Sequence, residues 1–296
     1  MNRKKSEELY AYATISPALI IVLFVVLVPI VVTMVYSFIN IDAVSSHYGK
    51  FMGLHYYISI LLSGTFWHDL GRTLYYTLLS TAIETISGIL VALLLNQKFR
   101  GVKFLRAVVL IPWAIPTVVN GSLWKLIFNG QYGVLNAVLL RMHLIPAYYS
   151  WLGNPVSAMN ALVIADSWKM MPMSVIFFLA ALQGVNTATY EAAMVDGAGA
   201  VKRFFVLTLP YLKPSILVVI VMRTVEKFKA FDIFYIMTRG GPADGTKTLM
   251  YDAYLKAFDE LNYSQAATYA YLITIIVMLL TVMYGKILRR NNDEAE

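Results

Sequence analysis

The sequence predicts an all-α polytopic membrane protein with six transmembrane helices. Hydrophobic residues make up 59% of the 296 residues and charged residues only 14%, and the mean hydropathy is +0.65. Long segments with little or no charge alternate with short polar segments, as expected when each apolar segment must cross the hydrocarbon core of a bilayer. This composition lies outside the range of ordinary soluble domains.

The first three predicted spans follow one another closely. Residues 10–41 carry no charge and come after the polar segment 1–9. We expect them to form a retained helix, because a secretory signal peptide has an apolar region of only about 7–15 residues before a small-residue cleavage site. After a polar loop at 42–71, the second span covers about 73–95. The third covers about 104–128. We expect this span to be an irregular helix, because it contains Pro112, Pro116, Asn120 and Gly121.

The remaining spans complete a core of five helices. The fourth covers about 156–182, and the fifth runs from Pro214, where proline suits a helix start, to about Thr238. A final uncharged span ends at Gly285. The predicted domains are therefore the terminal segments 1–9 and 287–296, the first helix 10–41 and the core domain 72–286.

Basic residues indicate which side of the membrane each loop faces. With six spans, both termini and the second and fourth loops lie on one side, and these segments contain most of the basic residues. By the positive-inside rule that side is the cytoplasm. The net charge of +7 therefore reflects topology and does not predict nucleic-acid binding. The cytoplasmic side has Arg3, Lys4, Lys5, Lys98, Arg100, Lys103, Arg106, Lys202, Arg203, Lys213, Lys286, Arg289 and Arg290, and the outer loops have Lys50, Arg141, Arg239, Lys247 and Lys256.

The fourth loop carries a spaced pattern in the run EAAMVDGAGAVKRFFVLTLP. Asn186 or Thr187 can cap the start of a helix, and Glu191 then lies near the positive end of the helix dipole. Alanines with small side chains follow, so we expect a short surface helix that continues to Ala200. Such a helix is well shaped to enter a groove of a partner protein.

The full spacing of this run resembles that of a known family. The run is similar to the EAA loop of permease subunits of binding-protein-dependent ATP-binding-cassette importers. The shared spacing is Glu-Ala-Ala, three residues, glycine, nine residues, an aliphatic residue, any residue and Leu-Pro. The one difference is Leu207, where isoleucine is usual. The resemblance implies the MetI-like fold of type I importers, with a cytoplasmic loop at 186–213 that docks into an ATPase subunit. The coupling residues that it implies are Glu191, Ala192, Ala193, Asp196, Gly197, Leu209 and Pro210.

Further segments resemble the carbohydrate permeases of this family. The run TRGGP at 238–242 is similar to a turn in the first permease subunit of the maltose and glycerol-3-phosphate type, although Arg239 stands where glycine is common. The run 110–113 looks like the family's third helix, and 168–172 like its fourth. The resemblance implies a sugar or oligosaccharide delivered by an extracytoplasmic solute-binding protein. It also implies a second, homologous permease subunit, two ATPase subunits and the plasma membrane of a bacterium or archaeon.

Nothing in the sequence predicts catalysis, a cofactor or a metal site. Cysteine is absent, and the four histidines lie in predicted outward loops without the i, i+4 spacing of a helical zinc site. The run from Gly240 to Lys247 is similar to a phosphate-binding loop, but Thr246 occupies the position that requires lysine. No G-x-S-x-G motif activates a serine. We therefore expect another chain to bind and hydrolyse any ATP that drives this protein.

Charged residues inside the spans are candidates for the substrate pathway, because each costs about 2.5–3.5 kcal/mol at mid-membrane and needs a partner or a wet cavity. At about 1.5 Å per residue from Pro214, Arg223 lies near the midplane and shares a helix face with Glu226 and Lys227. We expect either a polar, aromatic-walled cavity or a structural ion-pair network, and for Lys229 with Asp232 the structural pair is favoured. The predicted pathway residues are Glu84, Trp113, Asp166, Trp168, Lys169, Arg223, Glu226, Phe231 and Tyr235.

Two alternatives stay open at this point. The permease could carry a glycerol phosphodiester, an amino acid or a peptide instead of a sugar. An ion-driven carrier is a rival of another class, but it needs no surface coupling helix and usually contains internal repeats, of which the sequence shows none.

Overall fold

The structure, a computed structural model, describes residues 3–43 and 47–293, with side chains for 10–43, 47–186 and 188–286. The side chains of the predicted terminal segments 1–9 and 287–296 thus lie outside the described residues. The described chain is helical except for loops and two isolated β-bridges. Its helices are α1 (Arg3–Val22), α2 (Val28–Tyr36), α3 (His55–Leu62), α4 (Gly64–Leu95), α5 (Val102–Ala114), α6 (Thr117–Ile127), α7 (Val134–Arg141), α8 (Pro155–Gln183), α9 (Thr187–Val195), α10 (Ala200–Arg203), α11 (Leu209–Phe228), α12 (Asp232–Met237), α13 (Leu249–Phe258) and α14 (Tyr263–Asp293). Two π-helical segments, Leu23–Leu27 and Phe204–Thr208, join α1 to α2 and α10 to α11.

Within the described residues, five helical segments are long and apolar enough to cross a membrane, and a bent pair makes the sixth. That pair is α5 and α6, which meet at 94°. The bend follows from Pro116, since a residue before proline avoids the helical conformation, and Ile115 is extended with ψ 129°. The predicted irregularity of the third span is therefore confirmed.

The second span begins earlier than predicted. Helix α4 starts at Gly64, so the polar loop predicted for residues 42–71 ends in helix, and it also contains α3. Phe66, Asp69 and Thr73 are buried at a spacing of three and four residues, which is one face of a helix. This stretch is polar, which is typical of a loop, but its buried residues recur at helical spacing.

The predicted limits of the fifth span are also wrong. The span runs over Ala200–Phe228, so Pro214 lies inside the helix and Pro210 lies in the first turn of α11. The helix stops at Phe228, and Phe231 leaves the helical conformation with φ −128°. Because the chain breaks there, Lys229 and Asp232 are not on one helix, and in the described chain the ion pair expected between them does not form.

The chain divides into two compact units. One comprises residues 1–64 and 252–272, and there Tyr271 donates a hydrogen bond from its hydroxyl to the Ile30 carbonyl oxygen at 2.6 Å. The other comprises residues 65–251 and 273–296, and α8 lies at its centre, in contact with α5, α6, α11 and α12. An apolar core cluster holds α4, α8 and α11 together through Ile89, Ala92, Leu95, Val175, Phe178, Leu182, Leu212 and Val219.

Helices α4 and α8 lie close together at Gly88. A Cβ atom at this position would lie 2.8 Å from the Cβ of Ser174. Another glycine of the same helix, Gly71, has nothing within 4 Å of that position. Gly88 is therefore required for the contact between the helices, and Gly71 is not.

We expect Gly88→Ala to destabilise the protein by about 1–3 kcal/mol, because the added methyl group forces α4 away from α8. Gly71→Ala is the matched control and should be neutral or stabilising by up to about 1 kcal/mol, since alanine has the higher helix propensity. Thermal unfolding of both purified variants in detergent measures the difference. Equal midpoints for the two variants would contradict the close approach of these helices.

Candidate functional site

Three helices of the second unit bring four charged side chains together. Glu84 comes from α4, Asp166 from α8, and Arg223 and Lys227 from α11; none has more than 7% of its surface exposed. The two cations are four residues apart and therefore face the same side of α11. We call these four residues the ion-pair network.

Lys227 is bound by both carboxylates of the network. Its Nζ lies 2.5 Å from Glu84 Oε1 and also pairs with Asp166 Oδ2. Arg223 supplies the second positive charge, with Nε 3.7 Å from Glu84 Oε2. Its Nη1 lies 3.0 Å from Oε2 of the half-exposed Glu226. Each buried charge thus has an opposite charge beside it, as a low-dielectric environment requires.

Two neutral hydroxyl groups bind charged side chains of the site, one within the network and one beside it, and neither was predicted. Tyr76, which is fully buried, donates a hydrogen bond to Asp166 Oδ2 at 2.5 Å. Thr117 accepts one at 2.9 Å from Nζ of Lys169. A neutral side chain in an apolar span carries no charge signal. The available signal for Tyr76 was its distance of eight residues from Glu84, which places both on one helical stripe.

A cavity of about 160 Å³ lies beside the network, at the break between α11 and α12. Its lining combines charged groups with the ring of Phe231. Three of the charged groups are carboxylates and three are ammonium groups, so the lining carries no net formal charge. These six residues are Asp166, Lys169, Glu226, Lys227, Lys229 and Asp232.

The other aromatic residues predicted for the pathway do not line this cavity. Trp113 is 47% exposed on α5. Trp168 packs edge-on against Trp124, with ring centroids 5.8 Å apart. Tyr235 packs against Phe231, at a centroid distance of 5.4 Å. Of the predicted pathway residues, Asp166, Lys169, Glu226 and Phe231 therefore share the cavity, and Glu84 and Arg223 support it from within the network.

The loop at 186–213 contains a shorter helix than predicted. The side chain of Asn186 accepts a hydrogen bond from the Ala188 amide at 2.9 Å, which confirms the predicted cap. Helix α9 ends at Val195, because Gly197 takes a left-handed conformation with φ +73°. The continuation to Ala200 is therefore wrong, since Ala200 begins the separate helix α10.

The predicted coupling residues lie on the surface of this loop. Glu191, Ala192, Asp196, Gly197 and Pro210 are exposed, and Ala193 and Leu209 are half-buried. A contact that was not predicted joins α9 to the segment before α11: the hydroxyl oxygens of Tyr190 and Thr208 are 2.5 Å apart. The loop is thereby tied to the same helix that carries Arg223 and Lys227.

Residues 84–293 match the family described as binding-protein-dependent transport system inner membrane component. The chain belongs to this family. The match covers α4 from Glu84 onward, the loop at 186–213, all four residues of the ion-pair network and the lining of the cavity. The protein is therefore a multi-pass membrane component of a transport system that depends on a binding protein.

Individual relatives cover nearly the whole chain. The trehalose/maltose transport system permease protein MalF of Thermococcus litoralis is 36% identical over 293 residues, which are 98% of this chain and 97% of that protein. The sulfoquinovosyl glycerol transport system permease protein SmoG of Agrobacterium fabrum is 32% identical over 283 residues, which are 96% and 91% of the two chains.

Solved structures share the fold. A chain of a bacterial ABC transporter that imports the acidic polysaccharide alginate superposes with a TM-score of 0.83 at 21% identity, over 97% of this chain and 98% of that chain. A chain of the MetNI methionine ABC transporter gives 0.55 at 20% identity, over 77% and 99%. The predicted all-α, MetI-like permease fold with six spans is confirmed.

Lys227→Met should destabilise the permease by about 3–5 kcal/mol, because it leaves two buried carboxylates without their shared cation. The double variant Lys227→Met/Asp166→Asn should recover part of this loss. Lys256→Met is the control, since Lys256 pairs with Glu260 at the surface and should cost about 1 kcal/mol or less. Unfolding midpoints and membrane abundance report the effect. A Lys227→Met protein as stable as the control would exclude a structural role for the network.

Proposed function

We propose that this chain is one permease subunit of an ATP-driven importer and forms half of the pathway for a sugar or oligosaccharide. The observation that carries the proposal is the 36% identity, over 98% of the chain, to a protein named as a trehalose/maltose permease. A second, homologous permease subunit forms the other half. Two ATPase subunits supply the energy, and an extracytoplasmic binding protein delivers the solute.

The cavity beside the network supports an uncharged, hydroxyl-rich solute. Its six charged groups balance, so no net charge remains to attract a phosphodiester or a carboxylate. Lys229 and Asp232 do not pair with each other, which leaves a donor and an acceptor for sugar hydroxyl groups. The ring of Phe231 can pack against the apolar face of a sugar. An anionic solute would require an excess of cations here.

The exposed loop supports docking of an ATPase subunit. Besides the coupling residues, it exposes large apolar side chains, with Met194 at 51%, Val195 at 88% and Val201 at 71%. The basic residues of this loop favour the cytoplasmic side, where ATP is available. Apolar side chains at a polar surface favour a protein contact. Binding of the ATPase at this loop would cover them.

The contact between Tyr190 and Thr208 supports a route from the loop to the cavity. Thr208 directly precedes α11, and the other end of α11 carries Arg223 and Lys227 and borders the cavity. A displacement of α9 on ATP binding would be passed to α11 as a rigid element. The two states of the pathway would then differ in how α11 packs against α4 and α8.

Reconstitution of the chain with its cognate partners tests the proposed function. We expect ATP-dependent uptake of a radiolabelled α-linked disaccharide, competed by excess sugar and not by amino acids or a glycerol phosphodiester. The chain without partners should have no ATPase activity. Uptake that persists without ATPase subunits and follows an ion gradient would instead support a secondary carrier.

Gly197→Asp should abolish transport while the subunit still inserts into the membrane. A side chain at φ +73° is strained and alters the direction of the chain where α9 meets its proposed partner. Gly199→Asp is the matched control, because Gly199 has φ −63° and equally open space, and it should retain transport. Equal transport by both variants would contradict a docking role for this turn.

Tyr190→Phe should uncouple ATP hydrolysis from transport, because it removes the hydroxyl bond to Thr208 and leaves the ring in place. We expect ATPase activity within about twofold of the unmodified transporter, with uptake per ATP reduced about fivefold or more, consistent with the loss of one hydrogen bond of about 1 kcal/mol. An unchanged ratio of uptake to hydrolysis would contradict the proposed route.

The orientation of the loop is checked separately by labelling Ala193→Cys in this cysteine-free chain, which should react with an impermeant reagent only from the cytoplasmic side.

A further inference from the structure

A second cavity lies at the corner between α4 and α5. Most of its lining comes from residues 96–106, which are distant in sequence from the break between α11 and α12. Its volume is about 620 Å³, and it is open to the surface. The lining contains three cations and three side-chain amides and no carboxylate. The polar members of this lining, which we call the basic corner, are Asn96, Gln97, Lys98, Arg100, Arg106 and Gln183.

The cations of the basic corner have no acidic partner in the described chain. Arg106 is held in place by a carbonyl group, since its Nη2 donates to the Leu95 oxygen at 2.8 Å. This bond fixes the guanidinium group at the end of α4 but does not neutralise its charge. The Nε atom of Arg106 is buried and makes no hydrogen bond among the described residues. Lys98 and Arg100 are exposed beside it.

The neighbouring surface is apolar. Phe99 lines the same cavity and is 38% exposed, and Phe104, in the first turn of α5, is 72% exposed. The corner begins where the second membrane span ends at Leu95, so these rings lie at the level of the bilayer interface. Cations that alternate with exposed aromatic rings at the end of a span fit a ligand with an anionic head and an apolar body.

We propose that the basic corner binds the phosphate headgroup of an anionic phospholipid from the cytoplasmic leaflet. The phosphate oxygens accept hydrogen bonds from Lys98, Arg100 and Arg106, and the amide groups bind the glycerol part of the headgroup. The acyl chains lie along the rings of Phe99 and Phe104. The assignment of the leaflet rests on the proposed topology, but the lipid specificity does not depend on transport or on the nature of the solute.

Native mass spectrometry of the full chain in mild detergent tests this proposal. Phosphatidylglycerol and phosphatidylcholine with identical acyl chains are added in equal amounts, and the bound fraction of each is measured. We expect the anionic lipid to bind more tightly by at least about 25-fold, because each basic residue near a membrane contributes roughly a fivefold preference and the corner has three. Equal binding of the two lipids would overturn the proposal.

Lys98→Gln/Arg100→Gln is the informative variant, because it spares Arg106 and therefore the contact with Leu95. It should lower phosphatidylglycerol binding about 25-fold, the product of two fivefold effects, and leave phosphatidylcholine binding unchanged. Lys202→Gln/Arg203→Gln removes two adjacent cations from the fourth loop and should change neither. An equal loss in both variants would mean that only the total charge matters and would overturn a localised site.

Two further outcomes would assign the basic corner to another ligand. Displacement of the lipid by millimolar inorganic phosphate would indicate a site for a free anion. Loss of ATPase association in Lys98→Gln/Arg100→Gln, with phosphatidylglycerol binding intact, would indicate a protein contact. Either result rejects the lipid, and neither affects the sugar uptake measurement by which the proposed function is judged.

Discussion

The requirement that buried charges neutralise one another determines how the core of the second unit is arranged. Lys227 satisfies this requirement for Glu84 and Asp166 together, and so it fixes the positions of α4 and α8 relative to α11. Between packed helices little water is available to replace a lost partner, which makes such contacts selective for one packing. Gly88 permits the same arrangement sterically, by allowing α4 and α8 to approach.

Much of the fold could be predicted from the sequence, because the bilayer imposes length and apolarity on every span. The helix limits were less predictable where polar residues face protein instead of water. Asp69 was assigned to a loop for its polarity, yet it is buried on α4. The break after Phe228 has no proline or glycine to announce it, and the helix-favouring sequence there predicted continuity.

The candidate site was predictable to the extent that it is made of charges. Charged residues in spans are conspicuous, and helical spacing correctly placed Arg223 and Lys227 on one face. The hydroxyl groups of Tyr76, Tyr190 and Thr208 were missed, because their roles depend on partners 18 to 90 residues away in the chain. Of the aromatic residues expected to line the cavity, Phe231 does so. Its position depends on the break between α11 and α12, which the sequence does not indicate.

Helix α11 links these features, and its position shows how a balanced network would suit the proposed transport pathway. Its beginning is bonded to the exposed loop through Thr208, and its end carries the cations and borders the cavity. Lys227 contacts two carboxylates, and Arg223 contacts Glu226 as well as Glu84. Because each cation has two carboxylates, the helix can shift while each cation keeps one of them nearby. A single ion pair would have to break fully on movement, at a cost of several kcal/mol. Shared partners lower that barrier, so the network is compatible with both rigidity within each state and exchange between states.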